Sequence, residues 1–343
     1  MEVAKRVRFT IIIPARNAEA YIGRALDSLW AQTFRNFEVF VVDDGSDDET
    51  WCIARGYQLK FYPEIELPVF QTRQGVSGAR NYGSGTAGGE YILFLDADDT
   101  YEPTALETLD ECIRKNNNPD ILFSGYNRVA EDQSLIKPFS YDFPKCTGAQ
   151  LAADYLNKKS YTHLGALCFS HLFLAKNNLR FDCRFGFAED IVFITQAFLL
   201  AESICNTNAA IHNWTLRKGS TIYTNTLDRF QSLAAIASLR AFVKRNGIQS
   251  RSLSIAIANH YAMMLLDTVN TLTWLGCDAE TLEQELQRCV DFSILFPYIH
   301  LQPRLRSGVL GLKYWRKSYL QRIRSKAIPT NFVKSSKDSF DAK

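Results

Sequence analysis

Apolar positions in the first hundred residues come in short, largely apolar runs separated by amphipathic stretches. Phe9-Thr10-Ile11-Ile12-Ile13, closed by Pro14, lacks the in-out alternation of a half-exposed strand and predicts a parallel strand buried on both faces. Tyr21, Ile22, Ala25, Leu26, Leu29 and Trp30 then fall on one face of a helix. Phe37 to Val42 predicts a second buried strand, Val69-Phe70 a short third and Tyr91 to Leu95 a fourth. Pro103 suits the first turn of a helix reaching about Asn116, and Ile121-Leu122-Phe123 begins another strand. Such alternation predicts an α/β fold with a doubly wound, mostly parallel sheet. Beyond about residue 225 the period turns helical: Phe230, Leu233, Ile236, Leu239 and Phe242 share one stripe, and Leu253 to Leu275 forms a second. The expected division is an α/β domain over 1–225 and a helical region with a basic tail over 226–343.

The chain has 343 residues, 46% of them hydrophobic and 22% charged, enough apolar material for real cores. The net charge of +2 excludes few partners, but its distribution matters. Between Phe292 and Lys337 there is no Asp or Glu, and residues 303–334 carry nine basic side chains among Leu305, Val309, Trp315 and Tyr319. This composition suits peripheral contact with an anionic leaflet. The competing reading packs the apolar side chains onto the helical region and leaves the cations in water, and Gly308 and Gly311 weigh against one continuous helix. Nucleic acid is not an expected partner. The eight cysteines form no CxxC pair, no apolar run reaches the roughly 20 residues of a spanning helix, and no cleavage site follows the first residues. The expectation is a protein with reduced thiols in the cytoplasm, at most peripheral on the cytoplasmic face of the membrane.

Acidic residues gather where the strands end. Asp43-Asp44-Gly45-Ser46 closes the second strand and Asp96-Ala97-Asp98-Asp99 the fourth, which is where open α/β sheets bind ligands. Both clusters also read as turn formers or helix caps, and Asp99 reads best as a cap. Three carboxylates within four residues repel one another, which weighs against a pure cap at Asp96 and Asp98. Further on, Phe187-Ala188-Glu189-Asp190 opens an apolar helix, where a carboxylate also favours the helix dipole.

Taken with Pro14-Ala15-Arg16-Asn17 and Gly75-Val76-Ser77-Gly78-Ala79-Arg80-Asn81, these stretches, in this order, closely resemble the nucleotide-sugar half of family 2 glycosyltransferases of the GT-A fold. The likeness extends through Glu189-Asp190 and the Trp214 to Ile222 stretch, spanning roughly residues 9–222. It implies a metal-dependent, inverting transfer of a hexose or N-acetylhexosamine from a nucleotide-diphosphate sugar, a UDP-sugar. The acceptor implied is a glycan or lipid-linked glycan, as in lipopolysaccharide, capsule or exopolysaccharide synthesis. Hard Mn2+ or Mg2+ favours carboxylate and phosphate oxygens together, and the departing diphosphate gains charge that such an ion offsets. By this resemblance Asp98 ligates the metal, Asp96 contacts the ribose or completes the metal shell, and His212 is a further ligand. Asp44, with Asp43 beside it, faces the base, Pro14 and Arg16 line it, Ala97 lies within the metal motif, and Arg80 reaches the nucleotide. Arg217 and Ser220 hold phosphate oxygens, Asp190 is the catalytic base and Glu189 its neighbour. The family often has Asn where this chain has Arg73, which bears on base recognition.

Other readings fit less well. Gly83-Ser84-Gly85-Thr86-Ala87-Gly88 matches GxGxxG but precedes a strand, so it reads as a turn rather than a dinucleotide fingerprint. A phospho-acceptor domain leaves Glu189-Asp190 unexplained. A catalytically inactive nucleotide- or glycan-binding module of the same fold remains the alternative, and the intact acidic motifs argue against it.

Overall fold

The structure, a computed structural model, describes residues 7–141, 147–160, 162–217 and 227–294. By internal contacts the chain falls into two units, Met1–Lys218 and Gly219–Lys343.

In the first unit, β1 (Phe9–Ala15) is buried at all seven positions because strands flank it on both sides and helices cover both faces. It pairs in parallel with β2 (Phe37–Asp43), Ile11 opposite Val39, after α1 (Ile22–Trp30) has crossed over. Next come α2 (Thr50–Phe61), β3 (Val69–Gln71), α3 (Gly75–Thr86), β4 (Tyr91–Phe94), β5 (Thr100–Tyr101) and α4 (Ala105–Lys115). The period of two in β1 separates two layers. Ile11 and Ile13 join Leu26, Leu29, Ala54, Phe61, Leu106 and Leu109 in the core beneath α1, α2 and α4. Ile12 faces α3, so closely that a Cβ at Gly83 would lie 2.6 Å from its Cγ2. Gly83 to Thr86 are therefore the last turn of α3 and not the turn expected from the sequence, and the glycine lets helix and strand touch. The turn comes later, where buried Glu38 accepts from Gly88 N at 2.7 Å and Thr10 Oγ1 from Gly89 N at 2.9 Å.

The rest of the unit comprises β6 (Ile121–Val129), β7 (Leu135–Phe139), α5 (Gly148–Leu156), β8 (Leu167–Ser170), α6 (His171–Lys176), α7 (Glu189–Leu200) and β9 (Ile204–Thr215). The strand order is β3-β2-β1-β4-β8-β6-β9-β5, with β7 on β6. Only the β3-β2-β1-β4 portion is continuously parallel. The β4–β8, β8–β6, β9–β5 and β6–β7 pairs are antiparallel and β6–β9 is parallel, so the sheet is mixed and less uniformly parallel than the sequence suggests. Helices follow the first strands as crossovers, whereas the later strands return beside one another. The carboxyl ends of β1, β2 and β4 open on one edge, which carries both acidic clusters.

The second unit contains α8 (Gln231–Arg245), α9 (Arg251–Trp274) and α10 (Ala279–Cys289). Ser250 caps α9 through Leu253 N, and Asp278 caps α10 through Thr281 N. No described helix is long and apolar enough to cross a membrane. Ser220 and the basic stretch 303–334 lie outside the described residues.

Candidate active site

On the side of β1 and β2 the two strand exits are laced together. Asn17, at a left-handed φ of 49°, donates its backbone N–H to Ser46 Oγ at 3.0 Å, and its Oδ1 accepts from Asp47 N at 2.9 Å. Pro14 is buried within β1, and Arg16 beyond it is exposed. Asp43 is fully buried and accepts from Ser46 N, Ser46 Oγ and Gln71 Nε2, the bonding of a turn. Asp44 Oδ1 takes three donors: Thr72 Oγ1 at 3.0 Å, Gln74 N at 2.8 Å and Gly75 N at 3.1 Å. It therefore seals the amino end of α3, where free N–H groups seek an acceptor. The Arg73 side chain packs across Gly45, which holds φ +75°.

The exit of β4 brings the second cluster beside the start of α7. Arg80, on α3 and 4% exposed, donates from Nη2 to Asp96 Oδ1 at 2.8 Å and from Nη1 to Glu189 Oε1 at 2.9 Å. Its guanidinium lies 5.2 Å from the Phe181 ring centre. The helix begins at Glu189 after Ala188, whose φ of 61° is unusual for a residue with a Cβ. The cap position is thus Ala188, and Asp190 lies within the first turn, where its Oδ1 accepts from Ile191 N at 2.8 Å. Burial, reinforced by the Asp190 charge, pushes the Glu189 carboxyl up to about 7 against the pull of Arg80. Burial likewise raises Asp190, with Arg80 opposing.

Asp98 takes a charge-assisted hydrogen bond from Arg217 Nε at its Oδ2, and its carbonyl accepts from Arg24 Nη2 at 3.2 Å. The Arg217 guanidinium also lies 4.8 Å from the Tyr21 ring centre. Ala97, buried, separates the two outward-facing carboxylates. Asp99 does not cap a helix: its Oδ2 is 2.9 Å from His212 Nε2 and its Oδ1 accepts from Thr215 N at 2.8 Å. Burial holds its carboxyl at about 6, with His212 pulling the other way. Asp99 thereby fastens the β4 exit to the end of β9, and His212 and Trp214 belong to that strand rather than to a loop.

For a divalent ion, Asp96 and Asp98 fit by chemistry, since both present carboxylate oxygens with 49% and 23% of the side chain exposed. His212 is 1% exposed, committed to Asp99 through Nε2, with Nδ1 buried and unpartnered. Among the described residues no group of three or more His, Cys, Asp and Glu side chains is gathered for a metal. The fit is therefore to a two-carboxylate anchor whose shell would be completed by phosphate oxygens and water. Tyr21, Arg24 and the bracing role of Asp99 escape sequence reasoning. Tyr21 counts there only as part of an apolar helix face, Arg24 has no motif, and Asp99 differs from its neighbours only in where its side chain turns.

A family model described as glycosyl transferase family 2 matches residues 10–164. Glycosyltransferase GlyA of Streptococcus pneumoniae is 27% identical over 282 residues, 76% of this chain and 39% of GlyA. The poly(ribitol-phosphate) β-N-acetylglucosaminyltransferase TarS of Staphylococcus aureus is 30% identical over 241 residues, 67% of this chain and 40% of TarS. The chain thus spans about two fifths of the length of either relative. The crystal structure of TarS residues 1–349 in complex with UDP-GlcNAc shares the fold, with a TM-score of 0.58 and 20% identity over 93% of this chain and 91% of that one. So does the mannosyltransferase PcManGT of Pyrobaculum calidifontis in complex with GDP-Man and Mn2+, with a TM-score of 0.52 and 17% identity over 94% of this chain and 87% of that one.

Proposed function

We propose, on the premise of the match of residues 10–164 to glycosyl transferase family 2, that this chain is a glycosyltransferase of that family and transfers a sugar from a UDP-sugar to a hydroxyl of a glycan or lipid-linked glycan, with inversion at the anomeric carbon. The observation that carries the reading is the meeting of two acidic pairs, Asp96/Asp98 and Glu189/Asp190, on either side of one guanidinium. A donor anchored at the first pair would present its anomeric carbon toward the second. The UDP-GlcNAc of the TarS complex makes that donor the first to test.

In this mechanism Asp44, Arg16 and Pro14 border the base, with Asp43 holding their turn, and Arg217 and Ser220 take phosphate oxygens. Mn2+ or Mg2+ held by Asp98 and Asp96 would offset the charge gathering on the diphosphate. The acceptor oxygen bonds to the anomeric carbon as the bond from that carbon to the phosphate oxygen breaks. Asp190 takes the hydroxyl proton, and its raised affinity for protons suits a base that must accept one during the displacement. Because Arg217 now occupies Asp98 Oδ2, metal binding would free that guanidinium for the phosphates.

Turnover of UDP-GlcNAc with manganese, against chelator and the variants Asp98→Ala and Asp98→Asn, tests the reading. Both variants should lose at least about 10²-fold in rate, because the charge and not the shape of Asp98 is required. Full turnover in excess chelator would refute metal dependence.

A further inference from the structure

Arg80 matches an arginine expected to reach the nucleotide, yet its surroundings give it other work. Both terminal nitrogens are committed, one to Asp96 and one to Glu189, and the side chain is 4% exposed. Its flat face is closed by Phe181, which stacks on Phe193 of α7 with centres 4.0 Å apart and planes 8° apart. The next residue grips the same segment: Asn81 Nδ2 donates to Phe181 O at 2.8 Å and Asn81 Oδ1 accepts from Phe181 N at 2.9 Å. Phe94, at the end of β4, sets its edge against both Phe181 and Phe193. The helix carrying Arg80 is itself fixed, sealed by Asp44 at its start and pressed on Ile12 at Gly83.

We propose that Arg80 is a positioning residue that holds the donor-anchoring Asp96 and the base-bearing first turn of α7 at a fixed separation, acting through Glu189 rather than by contact with the nucleotide. The inference rests on the glycosyltransferase reading of the site. A planar fork can serve two carboxylates from different elements at once, whereas an ammonium is a point charge that serves one well. Without the guanidinium, Asp96, Glu189 and Asp190 would repel across a poorly solvated gap, and the base would drift from the donor.

The test compares wild type with Arg80→Gln, Arg80→Lys, Glu189→Gln and the Arg80→Gln/Glu189→Gln pair. It reads kcat, donor KM and the Kd of UDP alone by calorimetry, with thermal melting as the folding control. Arg80→Gln should lower kcat by about 10²-fold, the scale of a small misplacement of reacting groups, with a much smaller change in UDP affinity. Arg80→Lys should recover part of kcat, and the double variant should lose no more than the worse single one. If Arg80→Gln does not fold, Arg80→Lys carries the comparison, with a lowered kcat and unchanged UDP affinity as the expected result. A variant that loses UDP affinity by about tenfold while keeping kcat at saturating donor would overturn the proposal, as would additive losses in the double variant. A wild type that turns over no UDP-sugar would instead defeat the functional reading itself.

Discussion

Glu189 and Asp190 share the first turn of α7, where poor solvation disfavours the charge on both carboxyls and the nearby Arg80 guanidinium, shared with Asp96, only partly offsets it. Both therefore hold their protons more tightly than the free side chains do. A base works only when ionised, so raising its affinity for protons moves the onset of activity to higher pH. The rate constant kcat/KM should therefore climb with pH and reach half its plateau above the ~3.9 of a free aspartic acid. With Glu189 at about 7, the two carboxyls should titrate as a coupled pair and broaden the climb. A profile flat from about pH 4 upward would mean that neither carboxyl gates the reaction. At this scale the sequence reveals the acidic motifs, because repelling carboxylates in one turn are hard to explain otherwise. It does not reveal how each carboxylate is engaged: Asp43 braces a turn, Asp44 the start of α3 and Asp99 a strand, whereas the Asp98 carboxylate meets the side chain of Arg217, and the differences lie in partners mostly distant in sequence.

Elements made of largely apolar runs are legible, and those made of small or mixed residues are not. β1, β2 and β4 stand out because burial on both faces leaves few polar positions, Thr10 and Glu38 being satisfied within the fold. β9 does not, since its residues Ile204–Thr215 carry Asn, Thr and His that bond to β6 beside it and to Asp99 at the β4 exit. α3 holds four glycines in twelve residues, a composition that argues against a helix by propensity alone, and tertiary contact overrides it. Gly83→Ala sets two effects against each other. Alanine gains about 1 kcal/mol of helix propensity, but overlap with Ile12 at 2.6 Å costs about 1–3 kcal/mol in a packed core. Net destabilisation is expected, visible as a lower midpoint in urea at unchanged slope. An unchanged or raised midpoint would show that α3 does not lean on β1, and the bracing of Arg80 would lose its foundation.

For the molecule as a whole, the sheet brings together motifs that lie far apart in the chain. Asp44, Arg80, Asp96 and Glu189 are linked through α3 although they span about 145 residues, a connection no local pattern can encode. The first half of the fold is legible because acidic motifs close two of its apolar strands, while the later, mixed part of the sheet follows from pairings between strands of unremarkable composition. The proposed transfer is a single displacement at the anomeric carbon with Asp190 as base. It is tested most directly by the anomeric proton coupling of the product in NMR, formed from an α-linked UDP-sugar by the wild-type protein. A single displacement gives a β-linked product, whose formation should slow by about 10²-fold or more in Asp190→Asn while UDP affinity is kept. An α-linked product would contradict it.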